Sequence, residues 1–238
     1  MSAFLGIDTS NYTTSAALFD SEANTIIQSK KLLPVKAGEL GLRQSDAVFA
    51  HVKQLGDMVQ NVFDEYREEI TAIGVSTRPR DIDGSYMPCF LVGKMAANCL
   101  GAALKVPVLP FAHQQGHVAA ALYSAGRLDL FRERFIAFHL SGGTTEALLV
   151  EPSAERIIRC TKIGGSMDLK AGQAVDRIGV MLGLPFPAGK YLEELALKSD
   201  RKFKIKPVMK GTECCLSGVE NKCRKMLENG EKPEDIAL

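Results

Sequence analysis

Ala3-Phe4-Leu5-Gly6-Ile7-Asp8-Thr9-Ser10-Asn11-Tyr12-Thr13-Thr14-Ser15-Ala16-Ala17-Leu18-Phe19 sets two apolar, strand-forming runs on either side of a polar turn. Residues 3–7 and 14–19 read as strands, and residues 25–32 read as a third beyond the polar turn 20–24, which gives an antiparallel meander. Downstream, residues 45–66 place Val48, Val52, Leu55, Met58, Val59, Val62 and Phe63 at helical spacing, and residues 70–76 form a short β-branched run. Residues 84–104 read as an Ala-rich helix, 107–111 as a strand and 114–125 as a helix, so the order is βββαβαβα.

That order is the repeat unit of the ribonuclease-H-like fold, two of which build the clamp of actin-like ATPases and sugar kinases. A second copy starts near Arg134, with strands expected at 135–140, 147–151 and 156–162 and helices at 168–182, 189–199 and 217–229. The expected architecture is therefore an α/β actin-like ATPase/sugar-kinase (duplicated ribonuclease-H-like) fold, with a first lobe at 1–130 and an incomplete second lobe at 131–238. No later strand–helix–strand portion is expected in the second lobe. A sheet without those neighbours exposes an edge, which calls for a longer chain, a partner, or a homodimer.

The bulk numbers agree with a folded chain: 238 residues, 46% apolar, with 29 basic against 28 acidic residues. Disorder is excluded, and no chain-wide field steers the protein toward polyanions. The six cysteines form no C-x-x-C pair, a usage that fits a reducing compartment. With no signal-like start and no run of eighteen apolar residues, the expectation is a cytoplasmic protein without membrane attachment.

Chemistry concentrates in four places. The turn Asp8 to Thr14 joins a strand-end carboxylate to hydroxyls and backbone N–H groups, which suits a phosphate as well as an ordinary polar hairpin. Ser141-Gly142-Gly143-Thr144-Thr145 occupies the equivalent turn of the second copy, so both turns are expected to line one nucleotide-binding crevice. His113 and His117 lie four apart on one face of a helix, placed to ligate one metal ion if a third ligand exists. Gln114 follows the first histidine where a zinc peptidase needs a glutamate base, so peptide hydrolysis is disfavoured. His51 and His139 sit in apolar patterns and read as structural. Residues 198–225 hold nine basic against three acidic residues, a patch for phosphates or a solvated face.

Gly6-Ile7-Asp8-Thr9-Ser10, His51, His113-x-x-Gly116-His117, Ser141-Gly142-Gly143-Thr144 and the run from Asp168 through Ala171-Gly172-Gln173-Ala174-Val175-Asp176-Arg177 appear in an order that resembles the tRNA threonylcarbamoyl-adenosine synthases, bacterial TsaD and its relatives. The likeness continues through residues 182–189 and 216–219. It implies an acyltransferase that moves threonylcarbamoyl from threonylcarbamoyl-adenylate to N6 of the tRNA adenosine beside the anticodon, with tRNA and partner subunits of a transfer complex. By resemblance, His113 and His117 hold a divalent iron or zinc ion, and Asp8 and Asn11 mark the catalytic turn. Likewise Ser141, Gly142, Gly143 and Thr144 lie by the phosphate or threonyl portion of the ATP-derived acyl-adenylate, and Asp168, Gly172, Asp176 and Gly189 contact ribose and adenine. The chain departs from the family in having Asp8 for Glu, Asn11-Tyr12-Thr13 for Cys-Asp-Asp, Gln115 and Gln173 for Glu, and Arg78-Pro79-Arg80 for Gly-Pro-Gly. Those departures leave a second reading, a non-catalytic actin-like nucleotide-binding or scaffold module.

Overall fold

The computed structural model describes residues 2–10, 12–34, 42–66 and 69–238. Asn11 lies outside the described residues. The chain sorts into two compact units, Met1–Arg132 with Pro152–Cys160, and Glu133–Glu151 with Thr161–Leu238.

In the first unit, β1 (Ala3–Asp8), β2 (Thr13–Asp20) and β3 (Thr25–Leu32) form the antiparallel meander, and β4 (Ile70–Arg78) and β5 (Val108–Ala112) extend it in parallel on the β1 side. The sheet order is β3-β2-β1-β4-β5. Strand alternation turns Ala3, Leu5, Ile7, Ala16, Leu18, Ile73 and Val75 to one face, where they pack with Leu55, Met58 and Val62 of α1 (Gln44–Glu65) and Val92 and Ala97 of α2 (Phe90–Leu104). Burying each of the Val, Leu, Ile and Met side chains among them contributes about 1.5–3 kcal/mol.

The buried face of α1 also carries two polar residues, His51 and Gln54, while Val52 is left exposed. Thr14 Oγ1 donates to Gln54 Oε1 at 3.0 Å and lies 2.8 Å from His51 Nδ1. Its single proton is committed to the glutamine, so the imidazole donates from Nδ1. This fits the structural role expected of His51. α2 begins at Phe90 rather than at 84, because Pro88 is incompatible with a helix interior and Gly84 turns with φ of +76°. α3 (His113–Ser124) starts directly at the end of β5.

The second unit contains β6 (Phe135–Leu140), β7 (Thr145–Ser153) and β8 (Ile157–Ser166), whose hairpin end Pro152–Cys160 groups with the first unit. α4 (Ala171–Met181), α5 (Gly189–Ala196), α6 (Ser217–Glu228) and α7 (Pro233–Ala237) bury Ile178, Leu192, Cys223 and Ile236 together.

A short strand pair that the sequence reading did not contain follows β8. β9 (Val208–Lys210) and β10 (Glu213–Cys215) form a hairpin about Gly211, with φ of +62°, and β10 runs parallel to β8 in the order β6-β7-β8-β10-β9. Strands of three residues are too short to show a two-residue period. Gly164 makes their approach possible, since a Cβ there would stand 2.2 Å from the carbonyl oxygen of Thr212. In this sheet β6 is an edge strand, and Ile136, Phe138 and Leu140 on it are exposed. No helix of the described residues is long and apolar enough to cross a membrane.

Candidate functional site

Parallel strands gather functional groups at their carboxyl ends, where side chains from several strands meet. In the first unit those ends are Asp8 of β1, Ser76 and Arg78 of β4, and His113 immediately after β5. Every polar residue of the Asp8-Thr9-Ser10 turn is engaged. Asp8 Oδ1 accepts the Ser10 N–H at 2.8 Å, and its Oδ2 bonds His113 Nδ1 at 2.8 Å. Thr9 Oγ1 donates to the Cys89 carbonyl at 2.9 Å and accepts the Gly93 N–H at 3.1 Å, fastening the turn to the start of α2. Ser10 Oγ lies 3.3 Å from His113 Nε2.

Burial works to raise the Asp8 carboxyl, yet hydrogen bonding and charge from His113, with the hydroxyls of Ser10 and Ser76, hold it well below the usual carboxylate range. Asp8 is therefore an anion that fixes the orientation of His113. One turn along α3, the His117 ring meets the His113 ring edge-on, with centroids 4.3 Å apart and planes at 69°.

Two imidazoles, one of them oriented through Nδ1 by a carboxylate, are a donor set suited to a divalent transition ion. Among the described residues no group of three or more His, Cys, Asp or Glu side chains is placed to hold a metal ion. The pair fits such an ion only as part of a ligand set, which needs at least one further donor.

Asp8, His113 and His117 open onto a cavity of about 490 Å³ in the first unit, walled by Ile7, Val75, Phe111 and Ile157, with Arg156 on its rim. Arg156 Nη1 donates to Asp81 Oδ1 at 2.6 Å, and Arg78 Nη2 donates to the same oxygen at 2.8 Å. The arginine at 78, where the family has glycine, is thus paired with a buried carboxylate that it shares with Arg156. Gln115, where the family has Glu, is also accounted for. Its Oε1 accepts the Ala112 N–H at 2.7 Å and its Nε2 donates to the Ile158 carbonyl at 2.6 Å. A carboxylate has no N–H to offer that carbonyl.

In the second unit, the turn between β6 and β7 is closed by Ser141. Its N–H donates to the Thr144 carbonyl at 2.8 Å, and its Oγ accepts the N–H groups of Gly143 at 3.3 Å and Thr144 at 3.0 Å. Added Cβ atoms at Gly142 and Gly143 would meet nothing within 4 Å, so the turn presents open backbone. The first turn of α4 lies against it. The Gly172 N–H donates to the Ser141 carbonyl at 3.2 Å, and a Cβ on Gly172 would sit 2.6 Å from the Gly142 nitrogen. Thr145 Oγ1 accepts the Ala171 N–H at 2.7 Å, tying the same turn of α4 to β7.

Asp168 is not helical, as the 168–182 pattern suggested. It precedes α4 and accepts the N–H groups of Leu169, Leu216 and Ser217 and the hydroxyl of Ser217, clamping the start of α6. The Ser217 hydroxyl first, then the Leu216 N–H, hold its carboxyl well below the ordinary range. Asp176 Oδ1 accepts the Ala188 N–H at 2.8 Å, which fixes the residue before Gly189 at the start of α5.

Within the first unit, the structure brings Asp8 and His113 into contact, with His117 beside the latter. Within the second, it brings Ser141, Gly142 and Gly172 together, and links Asp176 to the residue preceding Gly189. Arg156 and Asp81 were not anticipated, nor was the bond that ties Thr145 to Ala171. The partners are separated by 26 to 75 residues, and no local pattern marks such pairs.

A carboxylate-oriented imidazole pair at parallel strand ends, on a βββαβαβα unit, defines an α/β protein of the actin-like ATPase/sugar-kinase fold. The solved structure of T. kodakarensis HypF has the same fold, with a TM-score of 0.58 and 12% identity over 99% of this chain and 37% of that one. Residues 23–238 match TsaD, tRNA N6-adenosine threonylcarbamoyltransferase, and the chain belongs to that family. A relative from Archaeoglobus fulgidus called tRNA N6-adenosine threonylcarbamoyltransferase is 25% identical over 235 residues, 98% of this chain and 67% of its own length. One of the same name from Lactococcus lactis subsp. cremoris is 29% identical over 193 residues, 78% of this chain and 53% of its own.

Proposed function

We propose that the protein carrying this chain transfers a threonylcarbamoyl group from threonylcarbamoyl-adenylate to N6 of the tRNA adenosine beside the anticodon. The observation that carries the reading beyond family membership is the 2.8 Å bond from Asp8 to His113 Nδ1, with His117 one helical turn away. In this reading His113 and His117 hold a divalent iron or zinc ion, which when bound supplies Lewis-acid polarisation of the carbamoyl carbonyl. Asp8 takes the positioning role, holding His113 in one ring orientation. Asn11 remains proposed as a member of the same turn.

The second unit takes the nucleotide half. The open backbone at Gly142 and Gly143, with Ser141 and Thr144, receives the phosphate or threonyl portion, while Gly172, Asp168, Asp176 and Gly189 shape the ribose and adenine contacts. The N6 amine attacks the carbamoyl carbon, the adenylate phosphate leaves with the electron pair, and the amine proton passes to solvent or a base. Partner subunits of a transfer complex and a cytoplasmic setting complete the proposal.

The test is incubation of the protein at natural length with threonylcarbamoyl-adenylate and unmodified tRNA, followed by mass spectrometry of the nucleosides. Threonylcarbamoyl-adenosine is expected with wild type and its yield is expected to fall at least ~100-fold for His113→Ala. Binding of the adenylate without modified nucleoside, under any metal or partner supplement, overturns the reading in favour of a non-catalytic module.

A further inference from the structure

The second unit carries a charged surface that the proposed chemistry does not use. Between residues 198 and 225 basic side chains outnumber acidic ones nine to three. Apart from Lys198 and Lys210, the structure divides the basic residues into two groups.

The arginines are internal ties. Arg201 pairs with Glu231 and Asp235, and Arg224, together with Arg177, pairs with Glu220. Glu213 is paired with Lys162 at 3.8 Å. Most carboxylates of this surface are thus neutralised by partners other than its exposed lysines. By contrast, Lys202, Lys204, Lys206, Lys222 and Lys225 are all exposed, and among the described residues none makes an ion pair.

Two elements present them together. Lys202, Lys204 and Lys206 alternate along the irregular segment before β9, and Lys222 and Lys225 are three apart on α6, hence neighbours on its surface. The two elements meet at a small groove of about 150 Å³, which both Lys206 and Lys222 line. A solvated charged face ordinarily intersperses both signs. Here the lysines are in excess, with Asp200 the one carboxylate of residues 198–225 that makes no ion pair among the described residues, and the excess is a local field that a polyanion neutralises with release of its counterions.

We propose that these five lysines form a docking surface for the phosphate backbone of tRNA. The inference rests on the reading above for the identity of the polyanion. Lysine ammonium groups act as point charges, so the surface sets affinity and orientation without reading sequence.

The experiment is binding of an unmodified tRNA transcript to the protein at natural length, followed by fluorescence anisotropy across a salt series. Two charge-neutral variants are compared with wild type: the triple change Lys202→Gln, Lys204→Gln, Lys206→Gln, and the double change Lys222→Gln, Lys225→Gln. All five positions are exposed, so thermal midpoints should match wild type. The slope of log K against log salt is expected to shrink by about 2 in the triple variant and about 1 in the double, with affinity at ~0.1 M salt at least ~10-fold weaker in the triple.

Unchanged slopes in both variants, with wild-type tRNA binding intact, overturn this surface and leave the transferase reading standing. Wild-type protein that pellets with phosphatidylserine vesicles but does not bind tRNA overturns it in favour of a membrane surface. If wild type neither binds nor modifies tRNA, the transferase reading fails and this inference falls with it.

Discussion

Asp8 acts through another residue, and its replacement separates orientation from charge. Asp8→Asn keeps an acceptor beside His113 but removes the anion. Loss of a carboxylate behind a metal-binding imidazole lowers metal affinity or activity about 10–100-fold, and that loss is expected in the transfer assay, with Asp8→Glu recovering part of it. Gln115 gives a test of stability. Gln115→Glu sets a carboxylate against the Ile158 carbonyl, a buried mismatch that costs about 1–3 kcal/mol and is measured by chemical denaturation. Asp168 gives a test in pH. Its native carboxyl titrates below the unfolded value of about 3.9, so it stabilises the fold above that value and the contribution is lost as pH falls toward the native one. Between pH 5 and 3 the thermal midpoint of Asp168→Asn should therefore fall less steeply than that of wild type.

Two places where elements meet depend on missing side chains. The first turn of α4 approaches the 141–144 turn so closely that Gly172→Ala forces a Cβ into backbone atoms. Overpacking of this kind costs about 1–3 kcal/mol, and adenylate binding by calorimetry should weaken along with stability because the turn itself is displaced. The β9–β10 hairpin reaches β8 through Gly164, so Gly164→Val should detach it, seen as faster amide exchange at 213–215 with the first unit unaffected. The start of α2 was misplaced at 84 although Pro88 marks it, because the apolar spacing carries on upstream of the residue that stops the helix. Boundaries were not legible where an element exists only by pairing, as β9 and β10 do.

Taken whole, the chain holds its thiols in graded exposure. Cys99 is exposed, Cys89, Cys160 and Cys223 are buried, and Cys214 and Cys215 lie between. Burial, with a smaller push from Asp81, raises the Cys160 thiol to about 11. A thiol reagent at pH 8 should label Cys99 rapidly and the three buried cysteines only on unfolding, read by mass spectrometry. The edge strand β6 bears Ile136, Phe138 and Leu140 outward, so Phe138→Lys should reduce concentration-dependent association of this 238-residue chain in light scattering. By itself the sequence determined the first sheet, its helices, the family and the imidazole pair. The sheet, the helices and the imidazole pair rest on short-range periodicity or spacing, and the family on an ordered set of short motifs along the chain. Only the tertiary structure decided that Asp8 orients His113, that Asp168 clamps the start of α6, that Gln115 and Arg78 are accommodated by Ile158 and Asp81, and that the five lysines of the proposed surface make no ion pair among the described residues. Those contacts join residues far apart in the chain, and their strength depends on distances that folding alone sets.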